Sequence, residues 1–108
     1  MEERRCSRRI YAQKHAYDYD CAIELGGRYY KARLVDLSQS GARLLLDDVL
    51  AIDLYGKMGV VKEDYYDQPF MEGLRCTVAW TKNDEVGLSF LKPLTLEYGA
   101  LYLYYGNA

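Results

Sequence analysis

Two adjacent glycines and the alternating segment before them constrain the fold of this chain more than any other feature. In residues 17–25, YDYDCAIEL, one set of alternate positions carries Tyr, Tyr, Cys, Ile and Leu, and acidic residues that include Asp20 occupy the other set. This two-residue period is typical of a half-buried β-strand. Gly26 and Gly27 supply the positive φ angles of a two-residue turn, and residues 28–37 return as a second strand. The sequence therefore predicts a β-hairpin here.

Short extended segments continue through the middle of the chain. Residues 42–48 and 49–55 are predicted strands, and residues 56–71 are interpreted as a strand or an irregular excursion. Residues 74–81 and 86–90 form a predicted second hairpin, because apolar residues alternate on both sides of the turn sequence KNDE. One face of this hairpin is predicted to carry Leu74, Cys76, Val78, Trp80, Val86, Leu88 and Phe90.

The pattern changes near the end of the chain, where residues 93–106 are predicted to form a helix. Apolar positions fall at helical spacing from Leu94 to Tyr105, with Thr95 as the N-cap and Gly106 as the C-cap. The run LYLYY also fits a strand, and Gly99 weakens the helix.

These elements predict a mainly β protein with one domain over residues 1–108. Its barrel, residues 15–92, is small, antiparallel and six-stranded, and a C-terminal α-helix follows it. Residues 1–14 have high charge density and no apolar pattern, so we predict a flexible arginine-bearing segment there.

Composition excludes several classes of function. The formal net charge is -2 and the pI is about 5.4, which argues against binding to polymeric nucleic acid. Three cysteines without a C-x-x-C pair and the single histidine, His15, argue against a disulfide framework or a metal site. No apolar run approaches membrane-spanning length, so we expect a cytoplasmic protein without membrane insertion.

The sequence shows no catalytic set, and we predict that the protein is not an enzyme. Ser38 has no evident base, and Cys6 beside arginines is most simply an incidental exposed thiol.

Two other constellations carry more chemistry. Residues 4–9, RRCSRR, supply guanidinium groups that bind phosphates and stack on purines. Residues 36–41, DLSQSG, end a strand with a carboxylate and a hydroxyl at a turn. Separately, each also fits a simpler interpretation, as a solvated tail or an ordinary turn.

Together the two constellations resemble the PilZ domain family, bacterial receptors for the second messenger cyclic di-GMP. The family motif R-x-x-x-R is matched by Arg5 and Arg9, with Arg4 as a leading arginine and Ile10 as the following apolar residue. Arg4 and Arg8 also satisfy the bare pattern. The second motif, (D/N)-x-S-x-x-G, is matched by Asp36, Ser38 and Gly41, and residues 78–90 resemble the late hairpin of the family.

The resemblance implies a six-stranded barrel with a C-terminal helix and a cyclic di-GMP site without any further cofactor. Arg5 and Arg9 would bind phosphates and stack on guanine, while Asp36 and Ser38 would bind a guanine edge. The segment that carries the arginines would become ordered on binding and relay the signal to a downstream protein. Arg4, as a leading arginine, implies two stacked ligand molecules per chain.

Two alternatives stay open at the level of sequence. The first is a PilZ-like protein-interaction module that does not bind nucleotide. The second is a small barrel that binds single-stranded RNA through tyrosines and arginines, although the acidic strand residues argue against it. The sequence also leaves open whether the chain acts alone or as a homodimer, and which process it regulates.

Overall fold

The structure, a computed structural model, describes residues 10–11, 19–46, 52–65 and 71–106. The first predicted hairpin is present: β2 (Cys21–Leu25) and β3 (Arg28–Leu37) pair in antiparallel fashion. Gly26 and Gly27 form the turn between them with φ angles of 58° and 88°. Two consecutive positive φ angles match the right-handed twist of the flanking strands, which explains why two glycines stand at this point.

A closed antiparallel barrel is formed by six strands. Besides β2 and β3, these are β4 (Gly41–Leu46), β5 (Met58–Asp64), β6 (Arg75–Lys82) and β7 (Glu85–Phe90). Around the barrel the order is β3, β2, β5, β6, β7 and β4, and the pairing of β4 with β3 closes it. The predicted six-stranded barrel is therefore confirmed. A two-residue strand, β1 (Ile10–Tyr11), is added to β3 outside this ring.

The second hairpin supplies much of the core. Val86, Leu88 and Phe90 are all buried, as the alternation predicts. Trp80, predicted on the same face, lies elsewhere because the register shifts between Val78 and Trp80. A bulge of this kind adds one residue to a strand and reverses the side on which the following residues point.

The C-terminal helix begins later than predicted. It is α1, Tyr98–Tyr105, and its N-cap is Glu97 and not Thr95. Gln39 holds the residues before α1 outside the helix: Leu94 N–H donates to the Gln39 carbonyl at 2.8 Å, and Gln39 Nε2 donates to the Leu96 carbonyl at 2.6 Å. The predicted C-cap is confirmed, since the Gly106 N–H donates to the Tyr102 carbonyl.

Two further local predictions were wrong. Within residues 49–55, predicted as a strand, Ile52–Leu54 is a 3-10 helix, and residues 49–51 lie outside the described residues. The Leu54 carbonyl accepts a hydrogen bond from Lys57 N–H, which closes a turn in place of a ladder. Asp20, placed on the exposed strand face, is 4% exposed, because its Oδ2 accepts the Leu34 N–H at 2.6 Å.

Within residues 1–14, predicted to be flexible, the structure describes Ile10 and Tyr11. These two residues form β1, and Ile10 is 2% exposed and belongs to the core. Packing against the barrel therefore starts no later than Ile10, because an isoleucine side chain gains about 1.5–3 kcal/mol from full burial. Residues 1–9 and 12–14 lie outside the described residues.

Candidate functional site

Asp36 lies at the end of β3 beside a bulge. Leu34 pairs with Leu44 and Asp36 with Arg43, so Val35 is the extra residue between them. The bulge places Asp36 on the outer side of the barrel, next to Arg43, which lies between buried residues of β4. Asp36 Oδ2 is 2.9 Å from Arg43 Nη2, and the side chains are 1% and 32% exposed respectively. Among the described residues, Arg43 Nε is buried without a hydrogen-bond acceptor.

Ser38 and Gly41 bound the turn that follows β3, which we call the motif turn (residues 38–41). Ser38 N–H donates to the Gly41 carbonyl at 2.8 Å, and Ser38 Oγ donates to the same oxygen at 3.3 Å. Ser38 is 2% exposed. Glycine is required at position 41 by close approach, since a Cβ atom would lie 2.3 Å from the Leu88 carbonyl oxygen. The motif thus forms a tight connection whose shape depends on the neighbouring strand β7, which contains Leu88.

Strand register places five outward-facing positions in one row across the barrel. Tyr11 of β1 is opposite Asp36 of β3, and Asp36 is opposite Arg43 of β4. Arg43 is opposite Gly87 of β7, which is paired with Trp80 of β6. The order is therefore an aromatic ring, a carboxylate, a guanidinium, a glycine and an indole.

The Trp80 indole lies over Gly87 at the far end of this row. A Cβ atom on Gly87 would be 2.1 Å from the indole Nε1, so only glycine leaves room for the ring. The indole and the Arg43 side chain line the same shallow depression, which has a volume of about 370 Å³. Its remaining lining residues are Lys82, Asn83, Asp84 and Glu85. The depression extends the site from Asp36 along the outer barrel wall.

The three arginines predicted to bind ligand, Arg4, Arg5 and Arg9, lie outside the described residues. Their point of attachment is described, because Ile10 directly follows Arg9. Ile10 is opposite Leu37, the residue between Asp36 and Ser38. Ile10, the residue that directly follows the first motif, is therefore paired with β3 at the edge of the barrel where the second motif begins.

Tyr11 and Arg43 were not among the residues that the sequence interpretation assigned to the site. Arg43 had a usable signal: a hairpin connected by residues 38–41 places position 36 opposite position 43. Tyr11 had none, because a two-residue strand is too short to show a period. Both residues are at the site through cross-strand register.

The buried cysteines do not form a reactive site. Burial, with Asp64 and Asp20 nearby, raises the pKa of the Cys21 thiol far above its usual range. Burial alone raises the pKa of Cys76 to about 11. Both thiols are therefore protonated at neutral pH, which suits packing and not nucleophilic chemistry. Cys6 and His15 lie outside the described residues.

Asp64 provides a buried polar contact between the barrel and α1. It is 5% exposed, and its Oδ2 accepts hydrogen bonds from Tyr105 Oη at 2.6 Å and from Met71 N–H at 3.2 Å.

Within the described part of the chain, no group of three or more His, Cys, Asp or Glu side chains is arranged to hold a metal ion. Over the same residues, no helix has the length and apolarity to cross a membrane.

A small closed antiparallel barrel that carries a motif turn, an acid–arginine pair and a C-terminal helix defines the structural class of this domain. The family profile of the PilZ domain matches residues 3–103, and the chain belongs to this family. PilZ domains are binding and adaptor domains that are generally associated with cyclic di-GMP. Neither the search of curated proteins nor that of solved structures found a significant match.

Proposed function

We propose that this protein is a cyclic di-GMP receptor that transmits ligand binding to a partner protein. The observation that carries the proposal is the position of Asp36. Its carboxylate lies on a barrel strand, beside a guanidinium, at the edge where the segment bearing Arg4, Arg5 and Arg9 joins the barrel. This position supports a site in which an acid that would recognise the base and cations that would bind the phosphates act together.

Asp36 would bind the guanine edge. Guanine presents N1–H and N2–H₂ as adjacent donors, and an ionised carboxylate accepts two such hydrogen bonds. Hydrogen bonds to a charged group contribute about 1.5–3 kcal/mol each. Since Asp36 is paired with Arg43 and 1% exposed, guanine would replace or share that contact. The released guanidinium then lies beside an anionic ligand, which offsets the loss of the ion pair.

The arginines would bind phosphates from the segment before β1. Arg9 is one residue from Ile10, and Arg5 is five residues from it, at most about 18 Å along an extended chain. That reach spans a cyclic dinucleotide placed on the motif turn. Arg4 adds a third planar cation, and we propose that it accommodates a second, stacked ligand molecule. The expected ratio is two ligands per chain, falling towards one in Arg4→Leu.

The route of the relay would be α1, because the residues that flank this helix contact both the motif turn and β1. Just before the helix, Gln39 of the motif turn binds the Leu94 N–H and the Leu96 carbonyl. At its end, Gly106 lies close to Ile10, whose Cγ2 would be 3.0 Å from a Cβ at that glycine. A ligand that changes the motif turn and the segment before Ile10 therefore acts on both ends of one helix.

One observation favours a second candidate, a PilZ-like interaction module without nucleotide. Asp36 and Ser38 are only 1% and 2% exposed, and the carboxylate already has a cationic partner.

A calorimetric titration with cyclic di-GMP and, separately, with a mixed single-stranded oligonucleotide distinguishes these functions. The receptor proposal requires saturable binding of the dinucleotide and none of the oligonucleotide. Absence of both would favour the interaction module.

A further inference from the structure

Tyr11 presents an aromatic ring directly beside Asp36. It is 63% exposed, whereas its neighbour Ile10 is 2% exposed, so β1 turns one residue into the core and the other outward. Tyr11 is the cross-strand partner of Asp36, and directly opposed residues have Cβ atoms about 4.5–5.5 Å apart. A large exposed tyrosine next to a buried carboxylate is a surface that a flat ligand group can cover.

Arg43 occupies the corresponding place on the other side of Asp36. Adjacent strands are about 4.8 Å apart, so the Tyr11 and Arg43 backbones are separated by two spacings, about 10 Å. A base between a ring and a guanidinium needs about 7–8 Å, two contact distances of about 3.5–4.0 Å. Each side chain would have to lean inward by only about 1 Å, which is within its rotamer freedom. The row therefore has the width of a three-layer stack.

We propose that Tyr11 is a base-stacking residue, whose ring covers one face of the guanine bound by Asp36 while Arg43 covers the other. The inference rests on the proposed function and adds a contact that neither sequence motif contains. Aromatic rings and guanidinium groups both stack on nucleobases, and the row supplies one of each around the acid that selects guanine.

The test is calorimetric titration of cyclic di-GMP into the full chain and three variants. Tyr11→Ala should weaken binding at least about fivefold, the lower range for loss of one base–aromatic stack. Tyr11→Phe keeps the ring and should bind within twofold of the wild-type protein. Tyr29→Ala is the matched control, because Tyr29 is a similarly exposed tyrosine at the distant end of β3, and it too should bind within twofold.

A contact measurement separates stacking from a structural role of Tyr11 in β1. In the complex, NMR should show nuclear Overhauser effects between the Tyr11 ring protons and guanine H8. If the wild-type protein binds but Tyr11→Ala is within twofold of it, or these effects are absent, the stacking inference is wrong and the receptor proposal stands. If the wild-type protein does not bind cyclic di-GMP, both are wrong.

Discussion

The Asp36 carboxylate and the Arg43 guanidinium form an ion pair across β3 and β4, with Oδ2 2.9 Å from Nη2. The pair exists because a bulge at Val35 brings Asp36 to the outer barrel side, where Arg43 lies. It gives the candidate site a cation of its own, separate from the arginines before β1. A ligand that combines guanine with phosphate can use both members, because the acid accepts hydrogen bonds from the base edge and the guanidinium can stack on the base and bind an anion.

Removal of either proposed phosphate-binding arginine should weaken ligand binding. Arg5→Ala and Arg9→Ala are each expected to lower the affinity for cyclic di-GMP at least about tenfold, because a charge-assisted hydrogen bond contributes roughly 1.5–3 kcal/mol. Calorimetry provides the measurement, and Arg28→Ala, an exposed arginine at the β2–β3 turn, is the control. Affinities within twofold of wild type for both variants would show that these arginines do not hold the ligand.

Gln39 should couple the motif turn to α1. In the wild-type protein, cyclic di-GMP is expected to change amide exchange over residues 98–105. In Gln39→Ala the ligand should still bind, but at least half of that change should be lost, because the side-chain hydrogen bond to the Leu96 carbonyl is missing. Lys92→Ala, an exposed residue of the same connection, is the control. An unchanged exchange response in Gln39→Ala would contradict the proposed relay route.

Tyr105→Phe should destabilise the free protein. Tyr105 is fully buried and donates to Asp64 Oδ2 at 2.6 Å, so its loss leaves a buried acceptor with one donor fewer. The expected cost is about 1–3 kcal/mol in the free energy of unfolding, measured with urea. Tyr55→Phe, at a residue that is 67% exposed, should change it by less than about 0.5 kcal/mol. Equal urea midpoints of unfolding for Tyr105→Phe and Tyr55→Phe would show that the hydrogen bond to Asp64 does not stabilise the packing of α1.

The buried thiol of Cys76 should make stability depend on alkaline pH. Burial raises the pKa of this thiol from its ordinary value of 9.0 to about 11 in the folded protein. The folded state therefore holds the proton more tightly than the unfolded state does. The stabilisation is complete below about pH 9 and is lost as the pH rises towards 11. Between pH 8 and 11 the wild-type protein should therefore lose about 1–2 kcal/mol more than Cys76→Ala does. The measurement is the free energy of unfolding in urea as a function of pH. If it changes with pH equally in the wild-type protein and in Cys76→Ala, the Cys76 thiol does not cause this pH dependence.

Local patterns were sufficient for most strands of the barrel. Alternation and a pair of glycines predict the β2–β3 hairpin, and the apolar positions of β7 predict its inward face, because period and turn chemistry are properties of adjacent residues. The helix start could not be found in this way. Thr95 is a good local N-cap, but hydrogen bonds with Gln39, more than fifty positions earlier, hold residues 94–96 outside the helix.

The candidate site was predictable only in part for the same reason. Asp36, Ser38 and Gly41 belong to a contiguous motif that the sequence displays, whereas Tyr11 and Arg43 reach Asp36 through strand pairing. Asp20 is a further case, since its burial depends on a hydrogen bond from Leu34 in the neighbouring strand. Contacts between strands depend on register and bulges, which no single segment encodes.

A paired titration shows whether Asp36 selects guanine in a cyclic dinucleotide. Cyclic di-GMP and cyclic di-AMP are titrated calorimetrically into the wild-type protein and into Asp36→Ala, with thermal unfolding confirming that the variant is folded. The wild-type protein should prefer cyclic di-GMP by at least about tenfold, since adenine lacks the N1–H and N2–H₂ donors. Asp36→Ala should lose most of that preference. Failure of the wild-type protein to bind cyclic di-GMP, or a preference that Asp36→Ala leaves unchanged, would contradict the account.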